Sequence, residues 1–207
     1  MKNLFFLILI CFISSSLYAQ VEQPTDIQLD SLKTKLETLL MEDQLFRRLY
    51  LDAEEKFGQT SAEMDYFWKV VEEQDERIEK ELIVILERYG WLGISDVGRR
   101  ANAAIWSVTQ HSSIEFKEKY APLMKESVLK GESQPLQYAR LIDRMFVNAN
   151  KPQVYGSQTT QDEDGNPIFF EIINPEYINS RRKEIGLGDI EIFAKERGIE
   201  WHIIQIK

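Results

Sequence analysis

Apolar residues recur at steps of three and four through most of the chain, the spacing that lines one face of an α-helix. From Ile27 the series runs through Leu29, Leu32, Leu36, Leu39, Leu40, Leu45, Leu49 and Tyr50, and Gly58 closes it as a C-cap. Ser61 opens a second long run, with Met64, Phe67, Trp68, Val71, Ile78, Leu82, Ile85 and Leu86 on one face, ending at Tyr89-Gly90. Only a few residues join the two, so the pattern predicts an antiparallel αα-hairpin. Gly90-Trp91-Leu92-Gly93 reads as a turn, and Ser95 as the N-cap of a helix over 96–111. Ser112 with Glu115 fits a capping box for the next helix. Pro122 predicts a kink or split in it, because proline removes a backbone donor, and Gly131 ends it. Ser133 and Pro135 open a further helix that runs to about Asn148.

Beyond that point the pattern turns to period two. Residues 154–160 and 168–173 read as extended, and Asp162-Glu163-Asp164-Gly165-Asn166 between them carries the Asp-Gly turn signal of a β-hairpin. Asn174-Pro175 predicts an N-cap and first helical residue, with the helix ending at Ile185 and Gly186. A last helix spans 189–197, and 201–206 forms a short closing strand or a docked tail. The expected fold is mainly α (α+β): a helical core with an N-terminal αα-hairpin and one β-hairpin. Residues 20–26 read as a linker, 27–88 as the helical hairpin and 89–207 as the core, with 27–207 one folding unit.

The first residues change the picture of where the protein works. Lys2, the apolar run from Leu4 to Ile13 and the small residue Ala19 describe a signal peptide over 1–19. The run is too short for a membrane span, which needs about 20 apolar residues. The protein is therefore expected to be exported, periplasmic or secreted. Lipid anchoring through Cys11 is disfavoured because Ile10 stands where a lipoprotein signal has a small residue. Cys11 is the one cysteine, so its removal excludes disulfides and thiolate chemistry. A net charge of -9 argues against nucleic-acid binding, which needs clustered cations. No later stretch is apolar enough to span a membrane.

From Gly90 onward one series of motifs stands out. It comprises Gly90-Trp91, Val97-Gly98, Ala103-Ala104, Trp106, Gln110-His111, Asp143-Arg144 and Pro152-Gln153-x-Tyr155-Gly156-x-Gln158. Pro167-Ile168, Arg181-Arg182 and Gly186-Leu187 complete it. Over roughly residues 75–193 this order resembles a bacterial domain-of-unknown-function family, number 6624 in that series. The family pattern reads Val-Asp-x-Arg-Arg near its end. Here Asn179 replaces that aspartate, so no carboxylate role carries over to the position. The resemblance implies no activity.

The candidate chemistry comes from the residues. His111 continues the inward stripe of Val97, Ala101, Ala104 and Val108, as a general base, a ligand donor or a buried structural histidine. Asp143 is the candidate that orients it, the competing reading being an internal ion pair or cap. Gln110 falls on a neighbouring stripe with Trp106 and Ala103. In a regular strand Gln153 and Tyr155 face one way and Gln158 the other, and Gly156 invites a bulge that re-aims Gln158 toward a ligand. Arg181 and Arg182 are candidates for a carboxylate or phosphate, against ordinary surface pairing. The β-hairpin, His111 and one of these arginines are expected to converge on one polar pocket. No metal site and no cofactor are expected: the chain has two histidines, and Asp162, Asp164 and Gly165 lack the full calcium-loop spacing. Two function classes follow. One is a non-catalytic binding or interaction module of the cell envelope, taking a small ligand or an envelope protein. The alternative is a hydrolase-like enzyme with a His general base activating water.

Overall fold

The computed structural model describes residues 22–206. The expected signal peptide, Cys11 included, lies outside them. Helix α1 (Asp26–Arg47) opens on a capping box in which Thr25 accepts from the Gln28 N–H and Gln28 accepts from the Thr25 N–H. The run expected to reach Gly58 breaks instead, and a separate helix α2 (Tyr50–Phe57) follows. Helix α3 (Ala62–Tyr89) starts at the predicted cap, the Ser61 hydroxyl accepting from the Met64 N–H at 3.2 Å. The N-terminal helix pair is present, but α1 packs most extensively along the later helix α4 (Ile94–His111). That packing buries Leu36 and Leu39 completely.

Three boundaries differ from expectation. Helix α4 is capped at Gly93 rather than Ser95, the Asp96 carboxylate accepting from the Gly93 N–H at 2.7 Å, and its helical geometry is interrupted at Gly98, where φ is +83°. Helix α5 (Ile114–Leu129) is capped by Ser113, while the Ser112 hydroxyl donates back to the Val108 carbonyl. Pro122 neither ends nor splits α5. Burial of Phe116, Tyr120, Met124 and Val128 on one face offsets its missing hydrogen bond. Helix α6 (Pro135–Asn148) follows, with Pro135 in its first turn.

The hairpin is shorter than its sequence pattern. Strand β1 (Thr159–Gln161) pairs antiparallel with β2 (Pro167–Phe169), Thr159 opposite Phe169. The turn is closed by Asp162, whose carboxylate accepts from the Asp164 and Asn166 N–H groups. Residues 152–158 form a loop, joined to the chain after β2 by an isolated bridge between Gln153 and Ile172 and by the Gln153 side chain, which donates to the Phe170 carbonyl. A 3-10 turn (Pro175–Tyr177), α7 (Ile178–Glu184) and α8 (Ile190–Glu196) complete the chain. The segment after Trp201 is a docked tail, not a strand. Ile206 donates to the Glu176 carbonyl and Trp201 packs edge-on against Phe169. The whole is mainly α with a small β-hairpin, and no described helix is long and apolar enough to cross a membrane.

Candidate functional site

The inward stripe of α1 reads Leu36, Leu39, Asp43: a carboxylate stands where periodicity calls for a leucine. Asp43 is only 2% exposed. A charge in that position has to be satisfied, and α4 does so. Asp43 Oδ1 lies 2.7 Å from His111 Nδ1. Oδ2 accepts from the Ser107 hydroxyl and from the Gln44 amide, each at 2.7 Å. Arg47 Nη1 approaches Oδ1 to 3.3 Å and donates to the Asp43 carbonyl, while its two terminal nitrogens grip Asp75 at 3.0 and 2.6 Å. Burial pushes the Asp43 carboxyl up, but the His111, Gln44 and Arg47 interactions outweigh it, and the group ends below the usual carboxylate range. An ionised Asp43 can only accept, so Nδ1 carries the proton of that bond. Nε2 has no partner among the described residues.

His111 sits on the wall of a cavity of about 610 Å³ between α1, α4, α6 and the start of β1. That volume suits a small-molecule site. Its wall carries four guanidinium groups, Arg47, Arg48, Arg140 and Arg144, and no carboxylate side chain. Arg47 is neutralised by Asp75 and Asp43, whereas Arg48, Arg140 and Arg144 have no carboxylate within ion-pair distance among the described residues. Burial and then the Arg140 charge push Arg144 below its ordinary value. Like charges one helical turn apart on α6 are held together at a cost. Gln110, on the same wall, is buried with its Oε1 unpartnered, as is the Trp106 indole N–H one turn earlier. Such groups call for an additional partner. Gln110, Trp106 and Ala103 thus share the cavity of His111, although their stripe on α4 is a different one.

The remaining sequence candidates, Gln158 apart, serve the fold. Asp143 does not orient His111, whose ring is bonded to Asp43. It is fully buried and accepts the backbone N–H groups of Val154, Tyr155 and Ser157, each at 2.8 Å. Burial pushes its carboxyl up against the opposing pull of these donors. Gln153 closes the same loop from within, donating to the Gln158 and Phe170 carbonyls and accepting from the Gln158 N–H, all at 2.9 Å. Tyr155 is core, packed on Tyr138 with ring centres 6.0 Å apart. Gly156 has φ +69°, and a Cβ there would lie 2.9 Å from methyl groups of Ile178 and Ile190. It marks close packing against helices, not bare backbone offered to a ligand.

Arg181 and Arg182 face away from the cavity. Arg181 donates to the Val154, Ile173 and Asn174 carbonyls. Arg182 is buried, donates to the Gly188 and Tyr155 carbonyls and stacks on Phe193. The expected convergence is therefore half realised: Ser157, Gln158 and Thr159 join His111 on the cavity wall, and the arginine pair does not. At the position where the family pattern has aspartate, Asn179 accepts from the Ile190 N–H at 2.7 Å and so caps α8. Asp43, Gln44, Ser107, Arg48 and Arg140 escaped the sequence reading, and Arg144 entered it only as the neighbour of Asp143 in a motif. Two signals were available: an aspartate on the apolar stripe of α1, and Arg140 and Arg144 spaced to share one face of α6. Among the described residues no group of three or more His, Cys, Asp or Glu side chains is placed to hold a metal ion.

A mainly α fold with a small hairpin, built around a loop tied to a buried aspartate, defines the class of protein. A family of unknown function, DUF6624, matches residues 31–199, and the chain belongs to that family. The match takes in α1 from Ser31, α2 and all of α3, reaching beyond the 75–193 segment whose motifs carry the resemblance, so Asp43 lies inside the family domain. No curated protein and no solved structure matches the chain.

Proposed function

We propose that the protein is an exported binding module of the bacterial cell envelope that holds a small anionic ligand in the arginine-lined cavity. One observation carries this: four guanidinium groups line a cavity without a carboxylate side chain in a chain of net charge -9. Three of the four lack an ion-pair partner among the described residues, and guanidinium forks suit the oxygens of phosphate or carboxylate. The unpartnered Gln110 amide and Trp106 indole supply further polar contacts on the same wall. Docking of a protein partner through the leucines of α1 finds no such support, because Leu36 and Leu39 are consumed in the α1–α4 packing.

The test is isothermal calorimetry of the purified protein against inorganic phosphate, sulfate, acetate and citrate at low salt. At least one anion should bind, with affinity falling as ionic strength rises. The Arg140→Gln, Arg144→Gln double variant should lose that binding while keeping its helical circular dichroism. Absence of binding to every anion of the panel overturns the proposal. Export is checked separately by mass spectrometry of the protein recovered outside the cytoplasm, whose first residue should be Gln20.

A further inference from the structure

We infer that this cavity is also a hydrolytic centre for phosphomonoesters, with His111 as general base, Asp43 as the residue that positions it, and Arg48, Arg140 and Arg144 as the clamp on the phosphoryl group. The inference rests on the anion-binding reading above and goes beyond it, from capture to chemistry.

The geometry of the pair is that of an oriented base. Asp43 holds Nδ1 at 2.7 Å from the buried side. It is itself fixed by Ser107, Gln44 and Arg47, so the imidazole has a defined tautomer and direction. Nε2 has no hydrogen-bond partner among the described residues. The His111 side chain stays 21% exposed, on the wall of the cavity. Charge selects the substrate class. A carboxylate would match one of the three unpaired guanidinium groups, whereas a phosphomonoester carries a charge of about -1.5 to -2 at neutral pH and presents three oxygens to them. Such a cluster also offsets charge developing on the phosphoryl oxygens during transfer.

The nucleophile is water. The Ser107 hydroxyl donates its proton to Asp43, and neither it nor Ser157 is bonded to His111. In the proposed step the water oxygen forms the new P–O bond and its proton passes to Nε2. The bond from phosphorus to the ester oxygen breaks, its electron pair staying on the leaving alkoxide. That alkoxide, leaving on the face of phosphorus opposite the attacking water, takes a proton from solvent, and Nε2–H gives its proton up to solvent. The products are orthophosphate and an alcohol, and His111 returns to its starting state. No oxidant, reductant or further reactant is required.

The experiment measures orthophosphate release from p-nitrophenyl phosphate, a hexose phosphate and a nucleoside monophosphate, alongside calorimetry with inorganic phosphate. Release from at least one ester is expected. His111→Gln should lower kcat on the order of 10²–10⁴-fold while still binding phosphate. Asp43→Asn should lower kcat and alter the pH–rate profile with little change in phosphate affinity, a split that a packing role would not produce. Arg144→Gln should raise KM. His202→Ala, at the exposed second histidine, should change nothing. If Asp43→Asn fails to fold, His111→Gln alone decides. Phosphate binding without release from any ester overturns the hydrolytic inference and leaves the binding proposal standing, and so does turnover that survives His111→Gln. If phosphate does not bind at all, the phosphomonoester inference falls whatever other anion binds.

Discussion

The Asp43 carboxylate and the His111 imidazole meet at 2.7 Å across the α1–α4 packing, although 68 positions separate them in sequence. The contact joins the leucine-rich first helix to the one that carries the candidate base.

The first prediction concerns acid. The Asp43 carboxyl is held below its ordinary value, despite the upward push of burial, by His111, Gln44 and Arg47. A depressed carboxyl contributes stability above its unfolded pKa of about 3.9, which is lost as pH falls through the folded value. Melting temperature should therefore drop steeply below about pH 4. Asp43→Asn should flatten that part of the profile while lowering the melting temperature at pH 7. Thermal melts from pH 3 to 7 on both proteins check it, and parallel profiles would rule it out.

Asp143→Ala removes the acceptor of three backbone N–H groups at once. Each buried donor left without a partner costs roughly 1–3 kcal/mol, so a loss of about 3 kcal/mol or more is expected. In a domain of this size that lowers the melting temperature by about 6–12 °C. Amide hydrogen exchange should rise first in 154–157. A loss under about 1 kcal/mol would mean the loop is held by Gln153 and the arginine pair alone.

Gly156→Ala meets two obstacles: a left-handed φ of +69° and methyl groups 2.9 Å from the new Cβ. Overpacking and backbone strain together predict a loss of about 2–4 kcal/mol in denaturant unfolding. A ligand-facing glycine would instead leave stability nearly unchanged and alter binding.

Arg144→Gln relieves the repulsion between Arg140 and the exposed Arg144 one turn further along α6. Melting temperature should rise by about 2 °C, while any anion-induced stabilisation shrinks. A fall in melting temperature would show that Arg144 contributes to the fold as it stands, and would remove it from the clamp.

Most helices, the hairpin turn and the inward placement of His111 were legible from sequence because they depend on local spacing. So was the loop 152–158 as a special segment, although its role was not. Period-two reasoning assigned it to a strand in which a bulge at Gly156 turned Tyr155 and Gln158 toward a ligand, against a packed glycine with Tyr155 in the core. Asp143 wraps the segment into a loop instead, and Arg181 and Arg182 pin it from outside. A hydrogen-bonding partner is chosen by what folding brings near. Asp143 lay close to a plausible role in the sequence, and Asp43 lay in another helix altogether.

The sequence by itself determined the helical periodicity, the cap at Ser61, the helix start at Pro135, the Asp-Gly turn and the family to which the chain belongs. Tertiary structure alone decided that Asp43 meets His111, that Asp143 holds a loop, and that Arg48, Arg140 and Arg144 face one cavity. The physical reason is range. Propensity, capping and period act within a few residues, whereas a buried charge is satisfied by whichever donors the packed helices bring within about 3 Å.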